Sequence, residues 1–141
     1  MKWIGKMKIK FVVQPTNETG CGIATLAMLA NKDYGGMKKD MELKGLVRDN
    51  DFVTVNQMKS GLIDLSKVDY IQSRRISSWD PHKNYVCFCR ESEGSENQYR
   101  HWMLYINGYY YDPLNKEMLP TKETKHRTTT MLEIPDSLLS S

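Results

Sequence analysis

A chain of 141 residues, 40% hydrophobic and 26% charged, is long enough to bury a core as one domain without disulfide staples. The net charge of +3 is mild and the Lys and Arg residues are scattered. No nucleic-acid partner is therefore expected, and with no apolar run of membrane-spanning length no membrane partner is expected either. Three cysteines cannot all pair within one chain, and Cys87 and Cys89 lie one residue apart, which favours reduced thiols in a cytoplasmic setting.

The first residues carry charge but lack the apolar core of a signal peptide. Residues 7–13 alternate and then become continuously apolar, which predicts a strand entering the core. Residues 15–20 are turn-forming, with Thr16, Asn17 and Thr19 as possible helix caps. A helix is predicted over 21–31, buried on much of its surface, and Asp33-Tyr34-Gly35-Gly36 reads as its stop.

Cys21 stands between two glycines where that helix begins. A sulfur at the positive end of a helix dipole favours the nucleophilic thiolate. The glycines leave room for a substrate backbone, and the unpaired N–H groups of the first turn can bind an oxyanion. Gln14, seven residues earlier, can add a side-chain N–H to the same hole. A buried, inert thiol is the alternative reading of the same residues.

A second, more exposed helix is predicted over 37–48, weakened by Gly45. Thr54 and Gln57 form a capping box for a third helix, which ends at Gly61 or continues to Leu65. Residues 66–80 show no clear pattern. From Asn84 the period changes to two, predicting a strand through Tyr85, Cys87 and Cys89. The acidic loop 91–99 precedes His101 and is expected to border the site and gate access to it. Residues 131–135 read as a last strand or a docked tail, after a polar run over 121–130.

Asn107-Gly108 between β-rich runs is a strong hairpin signal, because a type I′ turn needs positive φ at both positions. With those two as the turn, Leu104 faces Tyr111 and Met103 faces Asp112. His101 then shares a face with Met103 and stands diagonal to Asp112. A histidine held by a carboxylate is the orienting half of a nucleophilic triad, although a plain cross-strand contact would look the same. His82 and His126 read as solvated, the tyrosines at 109–111 as sheet packing, and Cys87-Phe88-Cys89 lacks zinc-knuckle spacing.

Together, Gln14, Cys21-Gly22-Ile23-Ala24 with Leu26-Ala27-Met28-Leu29, Tyr34-Gly35, Asn56-Gln57-Met58 with Gly61-Leu62, His101 and Asp112-Pro113 resemble the C39-type peptidases, a branch of the papain-like cysteine proteases. The likeness in order and rough spacing runs from residue 14 to about residue 115. It implies an α+β papain-like fold in a single domain over 1–141, a helical lobe bearing the nucleophile packed on an antiparallel sheet. It implies Cys21 as nucleophile, His101 as general base and then acid, Asp112 as its orienter, and Gln14 in the oxyanion hole. The implied reaction is cleavage of a peptide or amide bond in a peptide or protein substrate, with no metal or organic cofactor. A peptide-binding module that has lost hydrolysis, and a thiol acyltransferase on the same scaffold, are the competing functions. Gln14 lies one residue further from Cys21 than is usual in that family, and the His101–Asp112 hairpin is tighter. The oligomeric state is not set by the sequence.

Overall fold

The computed structural model describes residues 9–16, 19–90 and 100–139. The expectations for 1–8, for Asn17 as a cap and for the gating loop 91–99 lie outside the described residues. The chain is α+β. Three helices, α1 (Cys21–Ala30), α2 (Tyr34–Leu43) and α3 (Val55–Ser66), precede the sheet, and a single turn, α4 (Asp136–Leu139), follows it. The strands are β1 (Ser73–Arg75), β2 (Tyr85–Arg90), β3 (Arg100–Ile106), β4 (Tyr109–Tyr111) and β5 (Arg127–Glu133). They form one antiparallel sheet in the order β1-β5-β2-β3-β4.

α1 ends at Asn31, which turns left-handed (φ 57°) and closes the last turn on the Ala27 carbonyl. The segment read as a stop then starts the next helix. Asp33 accepts a hydrogen bond from the Gly36 N–H at 2.7 Å, so it is the N-cap of α2. α2 therefore lies over 34–43 rather than 37–48, and the chain turns away at Gly45 (φ 70°). The Thr54–Gln57 capping box closes in both directions, at 3.1 and 3.0 Å. α3 runs through Gly61 to Ser66, which decides the open end.

Residues 9–13 form no strand. Their alternation reflects packing on one side: Val12 is buried, Ile9 and Phe11 lean on the core, and the Phe11 and Tyr111 rings lie 6.0 Å apart. Of residues 131–135, the first three join the sheet as the end of β5, which inserts between β1 and β2.

The helices cover one face of the sheet. Ile23, Leu26, Met28, Met41, Met58 and Leu62 pack there against Val86, Phe88, Trp102, Leu104, Ile106 and Leu132. Each such side chain, fully buried, contributes roughly 1.5–3 kcal/mol. On the other face, Tyr85, Cys87, Cys89, Met103, Tyr105 and Met131 form a second cluster, with Trp79 and Tyr110 against it. Trp79 and Tyr105 stand 4.4 Å apart and Tyr105 and Tyr110 5.0 Å apart, so these tyrosines are sheet packing.

Gly22 permits the docking of α1. A Cβ there would lie 2.7 Å from Val53 Cβ and 3.1 Å from Trp102 Cδ1, both on buried residues. Gly22→Ala should therefore cost about 1–3 kcal/mol. The urea midpoint should drop at constant slope, and an unchanged midpoint would contradict this close approach.

Candidate functional site

Cys21 is the first residue of α1. Thr16 and Thr19, read as possible caps, do not cap it. Thr16 Oγ1 accepts the Thr19 N–H at 3.0 Å instead, and Gly20, in a left-handed conformation (φ 98°), occupies the cap position with no side-chain bond. Among the described residues, no side-chain cap bond closes the start of the helix. The Cys21 and Gly22 N–H groups point at the Cys21 sulfur, and the Trp102 N–H donates to Sγ at 3.4 Å. Burial pushes the thiol up to about 11, against the pull of those three N–H groups. Burial thus opposes the thiolate that the helix start was expected to favour, so a base that takes the proton becomes the requirement.

Cys21 opens on a cavity of about 260 Å³. Thr19, Gly20 and Gly22 line it on the nucleophile side, Asp49, Asn50, Asp51, Phe52 and Val53 form the opposite wall, and Arg100 and Trp102 complete it. In that wall Asn50 and Asp51 both have positive φ, 62° and 60°. Two successive non-glycine residues in that region are a local strain, held here by the Tyr34 hydroxyl donating to Asp51 at 2.7 Å and by Lys38 at 3.1 Å from Asp51.

His101 and Asp112 come together as the hairpin register requires. β3 and β4 pair Leu104 with Tyr111 and Ile106 with Tyr109. That puts Nε2 of the fully buried His101 at 2.6 Å from Asp112 Oδ1. The Leu114 N–H donates to the same oxygen at 2.9 Å. His101 lies one residue before Trp102, whose N–H reaches Cys21, so the sulfur sits beside the strand end that bears the histidine.

His126 is not the solvated residue its polar surroundings suggested. Its side chain is 8% exposed, its Nε2 lies 2.9 Å from Asp112 Oδ2, and its ring is 4.4 Å from that of His101. Burial would raise the Asp112 carboxyl, but the two histidines and the Leu114 N–H outweigh it and hold the group well below the carboxylate range. Burial lowers His101 below its usual value, more than Asp112 raises it. His126 reaches the pair because residues 121–126 cross from the β4 edge to β5 over the face of β3. Thr121 bridges Tyr110, and Thr124 donates to the Met103 sulfur at 3.8 Å.

Gln14 stands elsewhere. It is 5% exposed, and its amide N–H groups donate to the Thr16 carbonyl (2.7 Å) and the Thr19 carbonyl (3.1 Å). Both donors are used within the loop that leads to Cys21, so Gln14 presents none to the cavity, contrary to the oxyanion role expected of it. Its backbone N–H binds the Pro113 carbonyl at 3.0 Å, which ties the Cys21 loop to the turn after Asp112. His82 is exposed in a loop, and Cys87 and Cys89 are buried in the second core.

The chain matches no family model, no curated protein and no solved structure. Among the described residues, no helix is long and apolar enough to cross a membrane.

Burial of the pair makes stability pH-dependent. The unfolded chain protonates His101 near 6.5 while the folded value is lower, so the unfolded state gains the proton first and stability falls as pH drops below about 6.5. The Asp112 contribution is present above about 3.9 and is lost below that, as pH falls toward its depressed folded value. The urea midpoint should decline from pH 7 to 5, with a smaller decline in His101→Gln. A midpoint flat over that range in the parent would rule out a buried neutral His101.

Proposed function

We propose that the protein is a papain-like cysteine peptidase or amidase, akin to the C39-type peptidases, acting on a peptide or protein substrate. The observation that carries this reading is the Trp102 N–H on Cys21 Sγ at 3.4 Å, one residue from a histidine bonded to a carboxylate at 2.6 Å. On this reading the helix layer supplies the nucleophile and the sheet supplies the base and its orienter, from neighbouring positions at one end of β3. Three free thiols fit a reducing, cytoplasmic setting.

In the proposed reaction the substrate enters the cavity over Cys21. His101 takes the thiol proton on Nδ1 while Asp112 holds Nε2, and Sγ attacks the carbonyl carbon. The negative oxygen settles against the first N–H groups of α1, and Gln14 supports that hole by bracing the loop. His101 then gives its proton to the amine as the C–N bond breaks, leaving a thioester. Water, deprotonated by His101, attacks the thioester, which releases the carboxylic acid and restores the thiol. No step calls for a metal or an organic cofactor.

Alkylation of Cys21 across pH 5 to 9, with intact-mass readout, tests this. With His101 as base the rate should hold level through neutral pH and fall only at a pH below the ordinary histidine range, because burial holds its value down. In His101→Ala the rate at pH 7 should drop by about 10²–10⁴-fold and climb with pH toward the thiol value of about 11. A rate indifferent to His101 would remove the base from the mechanism and leave a peptide-binding cleft.

A further inference from the structure

The proposed triad uses His101 and Asp112 and leaves His126 without a task. Yet the side chain of this second histidine packs on the same carboxylate, and a ring nitrogen of each histidine and a carboxylate oxygen lie within 4.8 Å of one another. We propose that His101, Asp112 and His126 bind a divalent transition ion of the zinc type, and that this ion holds the peptidase off. The inhibitory half rests on the peptidase reading; the binding half does not.

Two imidazoles and one carboxylate are a borderline-soft donor set that suits zinc, with a fourth position open. Bond lengths of 2.0–2.2 Å place tetrahedral donors about 3.3 Å apart, so the His101 and His126 contacts with Asp112, at 2.6 and 2.9 Å, would open slightly and the wider separations within 4.8 Å would close. An approach exists as well. Asp112 and His126 line a cavity of about 270 Å³ together with Asn115, Glu123 and Thr124. It is separate from the cavity over Cys21, with no lining residue in common. An ion can therefore enter without crossing the substrate's path, and water from this cavity can complete its shell.

The inhibition follows from the lone pairs. A metal on Nε2 leaves the ring proton on Nδ1, the nitrogen that must accept the proton of Cys21. An imidazole bound in this way cannot become imidazolium, so it cannot act as the base, and its remaining proton is too weakly acidic to serve the leaving amine. Metal binding and the first catalytic step are mutually exclusive at His101.

Tag-free protein would be dialysed against buffered Zn²⁺, and Co²⁺ would be added to a second sample for its absorption spectrum. One ion per chain is expected, with affinity at least about tenfold lower in His126→Gln. The Co²⁺ spectrum should show visible d–d bands without the intense near-ultraviolet charge transfer of a thiolate ligand. One equivalent of Zn²⁺ should slow alkylation of Cys21 in the parent and much less in His126→Gln. Absence of a retained ion, affinity indifferent to His126→Gln, or a thiolate band would overturn the site. If alkylation depends on His101 and no ion is held, the metal site falls and the peptidase reading stands. If the ion is held through His126 and alkylation ignores His101, the site stands and both the peptidase reading and the inhibition fall.

Discussion

The structure turns on Trp102. Its indole is buried at 2% exposure, with Nε1–H donating to the Val53 carbonyl at 2.9 Å and the ring 4.7 Å from Phe88. Its backbone N–H donates to Cys21 Sγ. One residue therefore joins β3, the cavity wall and the start of α1. A buried indole N–H must find a partner, and the partner here is the wall that faces the thiol. Because side chains alternate along a strand, fixing Trp102 toward the helices also fixes His101 toward the other face, where Asp112 waits. The geometry of the candidate site is a consequence of how one aromatic residue packs.

A half-buried carboxylate such as Asp112 is stabilised when its lone pairs are answered. The answers come from three segments: His101 on β3, the Leu114 N–H in the turn after β4, and His126 just before β5. The Gln14–Pro113 backbone bond adds the loop before α1 to this arrangement. A half-buried charge that three segments serve together gives them one common arrangement, because displacing any of them weakens its pairing. This is how the second histidine contributes to order even where the chemistry of hydrolysis does not require it.

Features governed by local chemistry were legible in the sequence. The start of α1 at Cys21, the Thr54–Gln57 box and the Asn107-Gly108 hairpin each depend on residues within a few positions, and the hairpin arithmetic placed His101 beside Asp112 before any coordinates. What escaped was non-local. Asp33 looked like an ending because turn residues serve both ends of helices, and only the Gly36 N–H shows which helix it caps. Residues 9–13 alternate as a strand would, but they pair with no strand among the described residues and pack on the core instead. β5 enters between β1 and β2, a pairing no local signal announces. The crossing that feeds it carries the polar run of 121–126 over the sheet face, and so brings His126, which composition assigned to solvent, onto Asp112.

The thiol shows why position at a helix start is a weak argument taken alone. The dipole offers an anion about 0.3–1 kcal/mol at a typical surface site and up to about 2 in favourable burial. The rise of Cys21 from 9.0 to about 11 corresponds to roughly 3 kcal/mol against ionisation. Desolvation therefore wins over the helix and its N–H groups, and Cys21 rests as a thiol. The same burial keeps His101 neutral, which is the form able to accept a proton. One environment thus withholds the thiolate and preserves the base. The nucleophile is then made only when the proton moves between them, so the chemistry depends on the pair and not on the helix.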